Sequence, residues 1–261
     1  MTPILQVKNL TKVYDDGTVA LKNVSFEVQE GEFLVVIGLS GSGKSTLLRC
    51  INRLVTPTEG EIWFKDVNLA TVKGSALRHA RRQIGMIFQQ FNLVKRSSVM
   101  TNVLTGRLGY TNPMNSLVNR FSGKDRAAAV AALQRVGIES KANNRADELS
   151  GGQQQRVGIA RALMQDPLLI LADEPVASLD PVLAHSIMGY LEQLNKQDGR
   201  TVMCSLHYLD LVQRYADRVI GLRDGTLVYQ GSNQDVKQMS NQQFADIYGE
   251  EAQRLETSIT G

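Results

Sequence analysis

Residues 33–37, Phe-Leu-Val-Val-Ile, are apolar without a break and are bounded by Glu30-Gly31 and Gly38. So short an unbroken run predicts a strand buried on both faces, as in a parallel sheet. Residues 168–172 and 201–205 repeat the pattern, and helix-like stretches at 44–52, 182–194 and 208–215 follow the three runs. Strand alternating with helix predicts an α/β fold around a mostly parallel sheet. Upstream of residue 30 the rhythm changes. Val24-Ser25-Phe26-Glu27-Val28 alternates apolar with polar positions, which predicts antiparallel strands with one wet face, and 61–64 is expected to join them. Residues 219–222 and 226–229 flank Arg223-Asp224-Gly225, a hairpin signal.

Between residues 91 and 164 the strand signals vanish. Residues 124–136 are Ala-rich and helix-like, with Gly137 as the stop. This region reads as a helical insertion. The tract 109–123, with Pro113 and several Asn, reads as a surface loop or a short helix. The last thirty residues are polar and helical, and no internal repeat is visible. The expected organisation is one domain over 1–248, a helical subdomain over about 91–164, and a polar tail over 249–261.

Composition narrows the options. The chain has 261 residues, enough for a full core and one compact unit with an insertion. Its net charge of +3 comes from 29 basic and 26 acidic residues, too balanced to argue for nucleic acid. Cys50 and Cys204 sit in apolar surroundings and read as small buried hydrophobes of a reducing compartment. Residues 1–6 lack the pattern of a secretion signal, and no stretch approaches the ~20 apolar residues that span a bilayer.

Candidate chemistry begins where the first buried strand ends. Gly38-Leu39-Ser40-Gly41-Ser42-Gly43-Lys44-Ser45-Thr46 lies between that strand and the helix over 44–52. Glycines let backbone N–H groups turn toward an anion, and the helix start adds a favourable field. This P-loop pattern places Lys44 toward the β and γ phosphates of a nucleoside triphosphate and the Ser45 hydroxyl on Mg²⁺. A second strand, 168–172, ends in Asp173-Glu174. Adjacent carboxylates after five apolar residues suit Mg²⁺ binding by Asp173 and handling of the attacking water by Glu174. A solvated turn is the other reading, since Pro175 follows. Leu149-Ser150-Gly151-Gly152-Gln153 precedes a helix over 154–164. Its Ser hydroxyl and Gly amides form a second anion site, and Ser150 also serves as an N-cap.

These motifs resemble the ATP-binding cassette family over nearly the whole chain, from about Leu5 to Gly231. The resemblance implies a P-loop NTPase core, an N-terminal antiparallel β subdomain and a helical insertion carrying the signature, Ser150 to Gln153. In that family the signature of one subunit covers the γ-phosphate held by the P-loop of another, which implies a homodimer of cassettes with ATP and Mg²⁺ as cofactors. Gln89 resembles the glutamine that touches Mg²⁺ and water, and its segment the one that senses the membrane partner. Ser178-Leu179-Asp180 resembles the loop that crosses the dimer interface. His207 resembles the γ-phosphate-sensing histidine, and Tyr14 the aromatic that stacks on adenine. The implied partners are integral membrane permease subunits and, indirectly, a substrate-binding protein. The implied location is the cytoplasmic face of the cell membrane.

A narrower resemblance lies in Phe88-Gln89-Gln90-Phe91-Asn92-Leu93-Val94, in 101–109 and in 173–181, all similar to the ATPase of phosphonate importers. The tail at Tyr248-Gly249-Glu250 fits less specifically. The expected activity is ATP hydrolysis that powers uptake of phosphonate-type oxyanions. Phosphite, another oxyanion or an amino acid is the alternative cargo, and a soluble non-transport cassette ATPase or a P-loop kinase is the alternative class. Leu39 stands where many relatives have Pro, and Gly158 where they often have Ala. Phe91, Leu93 and Val94 read either as a permease docking surface or as packing of the insertion against the core.

Overall fold

The computed structural model describes residues 3–111, 121–177, 179–238 and 240–248. The chain divides into two compact units, one of Met1–Val72 with Thr201–Gly261, the other of Lys73–Arg200.

The first unit opens with β1 (Pro3–Val13) and β2 (Val19–Gln29), antiparallel with Val7 opposite Phe26. β3 (Phe33–Ile37) follows, and all five of its residues are fully buried. Burial of such side chains is worth about 1.5–3 kcal/mol each. α1 (Lys44–Ile51) begins directly after the P-loop. β4 (Glu59–Phe64) pairs with β1 as expected, and a short β5 (Val67–Asn68) extends this antiparallel sheet to the order β2-β1-β4-β5.

The second unit starts with α2 (Gly74–Arg82) and β6 (Ile84–Ile87). Among its described residues the segment up to residue 168 holds no strand, as the sequence predicts. It carries α3 (Val99–Leu104), a 3-10 turn at Thr105–Tyr110, α4 (Gly123–Arg135) and α5 (Gly151–Leu163). Ser122 caps α4 in a reciprocal box with Asp125. The Ser122 hydroxyl, with help from Arg107, holds the Asp125 carboxyl below the usual carboxylate range. β7 (Leu169–Ala172) pairs in parallel with β6, Ile87 opposite Ala172, and α6 (Pro181–Lys196) follows.

The chain then returns to the first unit. β8 (Thr201–Ser205), α7 (Leu209–Tyr215), β9 (Arg218–Arg223) and β10 (Thr226–Ser232) are followed by α8 (Asn233–Lys237) and α9 (Asn241–Tyr248). β3 pairs in parallel with both β8 and β9, Val35 lying opposite Cys204 and Val219. β10 runs antiparallel to β9 across Asp224 and Gly225, both at positive φ. Two such residues give the turn whose twist matches a hairpin.

The expected strands and hairpin are present. α2, α3, β5 and β6 were not legible in the pattern. α5 starts at Gly151, so the two signature glycines form its first turn rather than precede it. At the end of the expected domain, Ile247 and Tyr248 are buried. Burial pushes the Tyr248 hydroxyl up to about 12. Residues 112–120 of the Pro113 tract, and 249–261 with the Gly249-Glu250 segment, lie outside the described residues. Cys50 and Cys204 are both buried and neither is in a disulfide, and burial pushes the Cys50 thiol up to about 11.

Candidate active site

In the first unit β3 delivers the P-loop. Gly38 has φ 143, and a Cβ there would meet the Leu222 carbonyl at 2.2 Å. At Gly43, φ 103, a Cβ would meet the Ala20 carbonyl at 2.5 Å. Only glycine fits at either end of the loop. Gly41, at φ 82, has open space around the position of a Cβ. Lys44 is buried, and its Nζ donates to Gly38 O and Leu39 O, both at 2.8 Å. The ammonium is thereby folded back over the loop. Proline at position 39 would keep that carbonyl, which explains why Leu39 is tolerated. The Ser42 hydroxyl oxygen is buried without a hydrogen-bond partner. α1 has no side-chain cap. The first N–H groups of a helix lack intrahelical acceptors. An anion seated at Gly41 to Thr46, with Ser40 at the rim, answers all of these features.

Tyr14 is partly exposed, its hydroxyl 3.3 Å from Thr46 Oγ1 and its ring 5.0 Å from Lys12 Nζ. The aromatic is thus tied to the P-loop helix. His207 follows β8, and the N–H of the preceding Leu206 donates to Val36 O at 3.1 Å. That bond puts His207 at the end of β3 from which the P-loop leaves.

In the second unit β7 is followed directly by Asp173, 1% exposed. Glu174 has φ 46, a left-handed conformation costly for a residue with a side chain. Its Oε2 accepts from Gln89 Nε2 at 3.0 Å. The structure therefore unites two expected site residues, and Asp173-Glu174 is more than a solvated turn.

The signature is a capped helix start. Ser150 Oγ accepts from Gln153 N, and Gln153 Oε1 accepts from Ser150 N at 3.1 Å. Ser150 and Gly151 are exposed, whereas Gly152 is buried. A Cβ on Gly152 would meet Leu183 Cδ1 at 2.9 Å, so this glycine lets α5 approach α6. Asp180 caps α6, its Oδ1 accepting from Leu183 N at 3.0 Å. Ser178 lies outside the described residues.

The segment after Gln89 lines a cleft of about 580 Å³ with Lys95, Ala146 and Gln154. Leu93 is half-buried and Val94 is 57% exposed, so neither is a core residue. Two residues of this region escaped the sequence reading. Asn102 is buried, and its amide bonds Val94 N and O and Ser98 O. Arg161 bonds the carbonyls of Phe91 and Asn92. An Asn on an apolar helix and an Arg in a long helix gave weak signals.

The donors named for Mg²⁺ are Ser45, Gln89 and Asp173. A hydroxyl, an amide oxygen and a buried carboxylate are the hard oxygen ligands that Mg²⁺ takes, so the residues present fit the ion.

A strand-delivered P-loop, a strand-end carboxylate pair and a capped signature helix define the class: the chain belongs to the ATP-binding cassette transporter family. Residues 21–177 match the family model described as ABC transporter. Among the relatives, the phosphonates import ATP-binding protein PhnC 3 of Halalkalibacterium halodurans is 52% identical over 246 residues, 94% of each chain. The protein named phosphonates import ATP-binding protein PhnC in Bdellovibrio bacteriovorus is 52% identical over 252 residues, 96% of this chain and 95% of that one. The fold also matches the ATP-binding cassette MJ0796, solved as a dimer in a post-hydrolysis state with ADP and Pi. There the TM-score is 0.79 at 38% identity, covering 88% of this chain and 98% of that one.

Proposed function

We propose that this chain hydrolyses ATP as the cassette subunit of an importer for phosphonate-type oxyanions. The single observation that carries the hydrolytic part is the Gln89–Glu174 contact beside the buried Asp173. A carboxylate held by an amide can accept a proton from water that the same amide orients. The cargo class is supported by relatives of that printed function at about half identity along nearly the full chain.

In this mechanism the P-loop amides and Lys44 bind and orient the phosphates, and Tyr14 stacks on the base. Ser45, Gln89 and Asp173 are the residues that would hold Mg²⁺, which would neutralise the charge spread over the phosphoryl oxygens. Glu174 takes the proton of the attacking water, and His207 contacts the γ-phosphate. Two copies close head to tail, so that Ser150, Gly151, Gly152 and Gln153 of one complete the site of the other, with Asp180 at the interface. Among the described residues no helix is long and apolar enough to cross a membrane. In this reading pore-forming permease subunits dock on the cassette at the cytoplasmic face and are served by a substrate-binding protein.

The test is uptake of radiolabelled methylphosphonate by vesicles carrying the assembled importer. Uptake should require internal ATP and vanish with Lys44→Ala. Competition by phosphonates, but not by amino acids, supports the cargo class. Equal uptake with Lys44→Ala, or competition by amino acids alone, refutes this reading.

A further inference from the structure

Gln89 is followed by two residues in the left-handed region, Phe91 at φ 55 and Asn92 at φ 49. Neither is glycine, and successive left-handed residues with side chains are unfavourable. Such a turn persists only where its surroundings over-determine it.

Arg161 on α5 supplies the constraint. Its Nη2 donates to Phe91 O at 2.7 Å and its Nη1 to Asn92 O at 2.6 Å. The planar guanidinium fork thus spans the carbonyls of two successive left-handed residues. One helical turn earlier, at Gly158, the position of a Cβ would be 4.0 Å from Phe91 O. At the start of the helix a Cβ on Gly151 would be 3.8 Å from Phe91 Cζ. Gly151, Gly158 and Arg161 are spaced by seven and three residues, so they share one face of α5. The segment after Gln89 is thus fastened along the helix that carries the signature.

We infer that Arg161 is a positioning residue for hydrolysis: its fork holds the left-handed turn at Phe91 and Asn92, and that turn aims Gln89 at Glu174. The same turn walls the cleft next to Leu93, so one guanidinium ties the signature helix to both the water-handling pair and the cleft. Its partial burial lowers the guanidinium's proton affinity without discharging it. The catalytic part of this inference rests on the roles proposed above for Gln89 and Glu174.

Arg161→Lys keeps the charge and removes the fork. Asn92→Gly removes the Cβ that makes φ 49 unfavourable. In the full chain, amide hydrogen exchange over 89–93 should speed up about tenfold in Arg161→Lys, with α5 changed less than about twofold. In the assembled importer kcat should fall about tenfold while KM for ATP stays within about twofold. Adding Asn92→Gly to Arg161→Lys should recover about a third or more of the lost kcat. Arg161→Gln serves if Arg161→Lys does not fold. Unchanged exchange over 89–93, equal loosening of α5, or no recovery in the double variant overturns the proposal. Full kcat in Gln89→Ala would instead sink the reading of Gln89, while the exchange result still decides what Arg161 holds.

Discussion

Gln89 Nε2 donates to Glu174 Oε2 at 3.0 Å across 85 residues of sequence. One residue follows β6 and the other follows β7, and the parallel pairing of these strands brings both to the same end. The amide and the carboxylate therefore meet through strand register rather than local sequence. Glu174→Gln keeps the shape of the contact and removes the base. Hydrolysis should fall by about 10²-fold or more while ATP binding persists. An ATP-bound dimer should then accumulate, visible by light scattering with ATP and Mg²⁺. Wild-type turnover would exclude Glu174 from the chemistry.

Composite sites can be tested by mixing two inactive subunits, one Lys44→Ala and the other Ser150→Arg. A head-to-tail dimer of the two has one site with an intact P-loop and an intact signature. Partial ATPase recovery is expected. None, with heterodimers verified by pull-down, would mean that each copy works alone.

Tyr14 contacts Thr46 through its hydroxyl and Lys12 through its ring. Tyr14→Ala should weaken ATP and GTP alike by about 1–2 kcal/mol, since stacking reads a ring face. Tyr14→Phe loses only the hydroxyl contact and should stay within about 1 kcal/mol of the parent. Titration calorimetry decides. A loss confined to ATP would assign Tyr14 a different contact.

Leu93 lines the cleft after Gln89, and Val94 beside it in sequence is exposed. Leu93→Asp should abolish transport by the assembled importer, because a charge in a dry interface costs several kcal/mol, about 2–5. The purified variant should melt within about 2 °C of the parent, as surface changes rarely exceed 0.5 kcal/mol. A large drop in melting temperature would return Leu93 to the packing of its own unit.

Gly158 lies inside α5, where a Cβ would find only Phe91 O, at 4.0 Å. Gly158→Ala should therefore stabilise the chain by about 0.5–1 kcal/mol, the helix propensity that glycine gives up. Differential scanning calorimetry should show a rise of about 1–4 °C. A lower transition would mean that the added methyl disturbs the turn at Phe91.

Much of the site was legible because its parts are contiguous. The P-loop, the strand-end carboxylates and the signature each lie within nine residues, and each carries its own chemistry. What escaped was relational. Gly152 read as an amide for an anion, yet its missing Cβ serves Leu183. Only a weak signal marked Arg161, yet it holds two backbone carbonyls of a distant turn. The last thirty residues read as polar and helical, yet Ile247 among them is buried and packs against Gly221.

The amino-acid sequence by itself determined most of the strands and helices and which groups are candidates for the chemistry. Hydrophobic period, glycine and capping chemistry act over a few residues and need no partner. Tertiary structure alone decided which groups meet. Gln89 finds Glu174, and Arg161 finds Phe91, only because parallel pairing and helix packing close long loops. Such contacts depend on the ordering of the chain between them, and no local pattern records it.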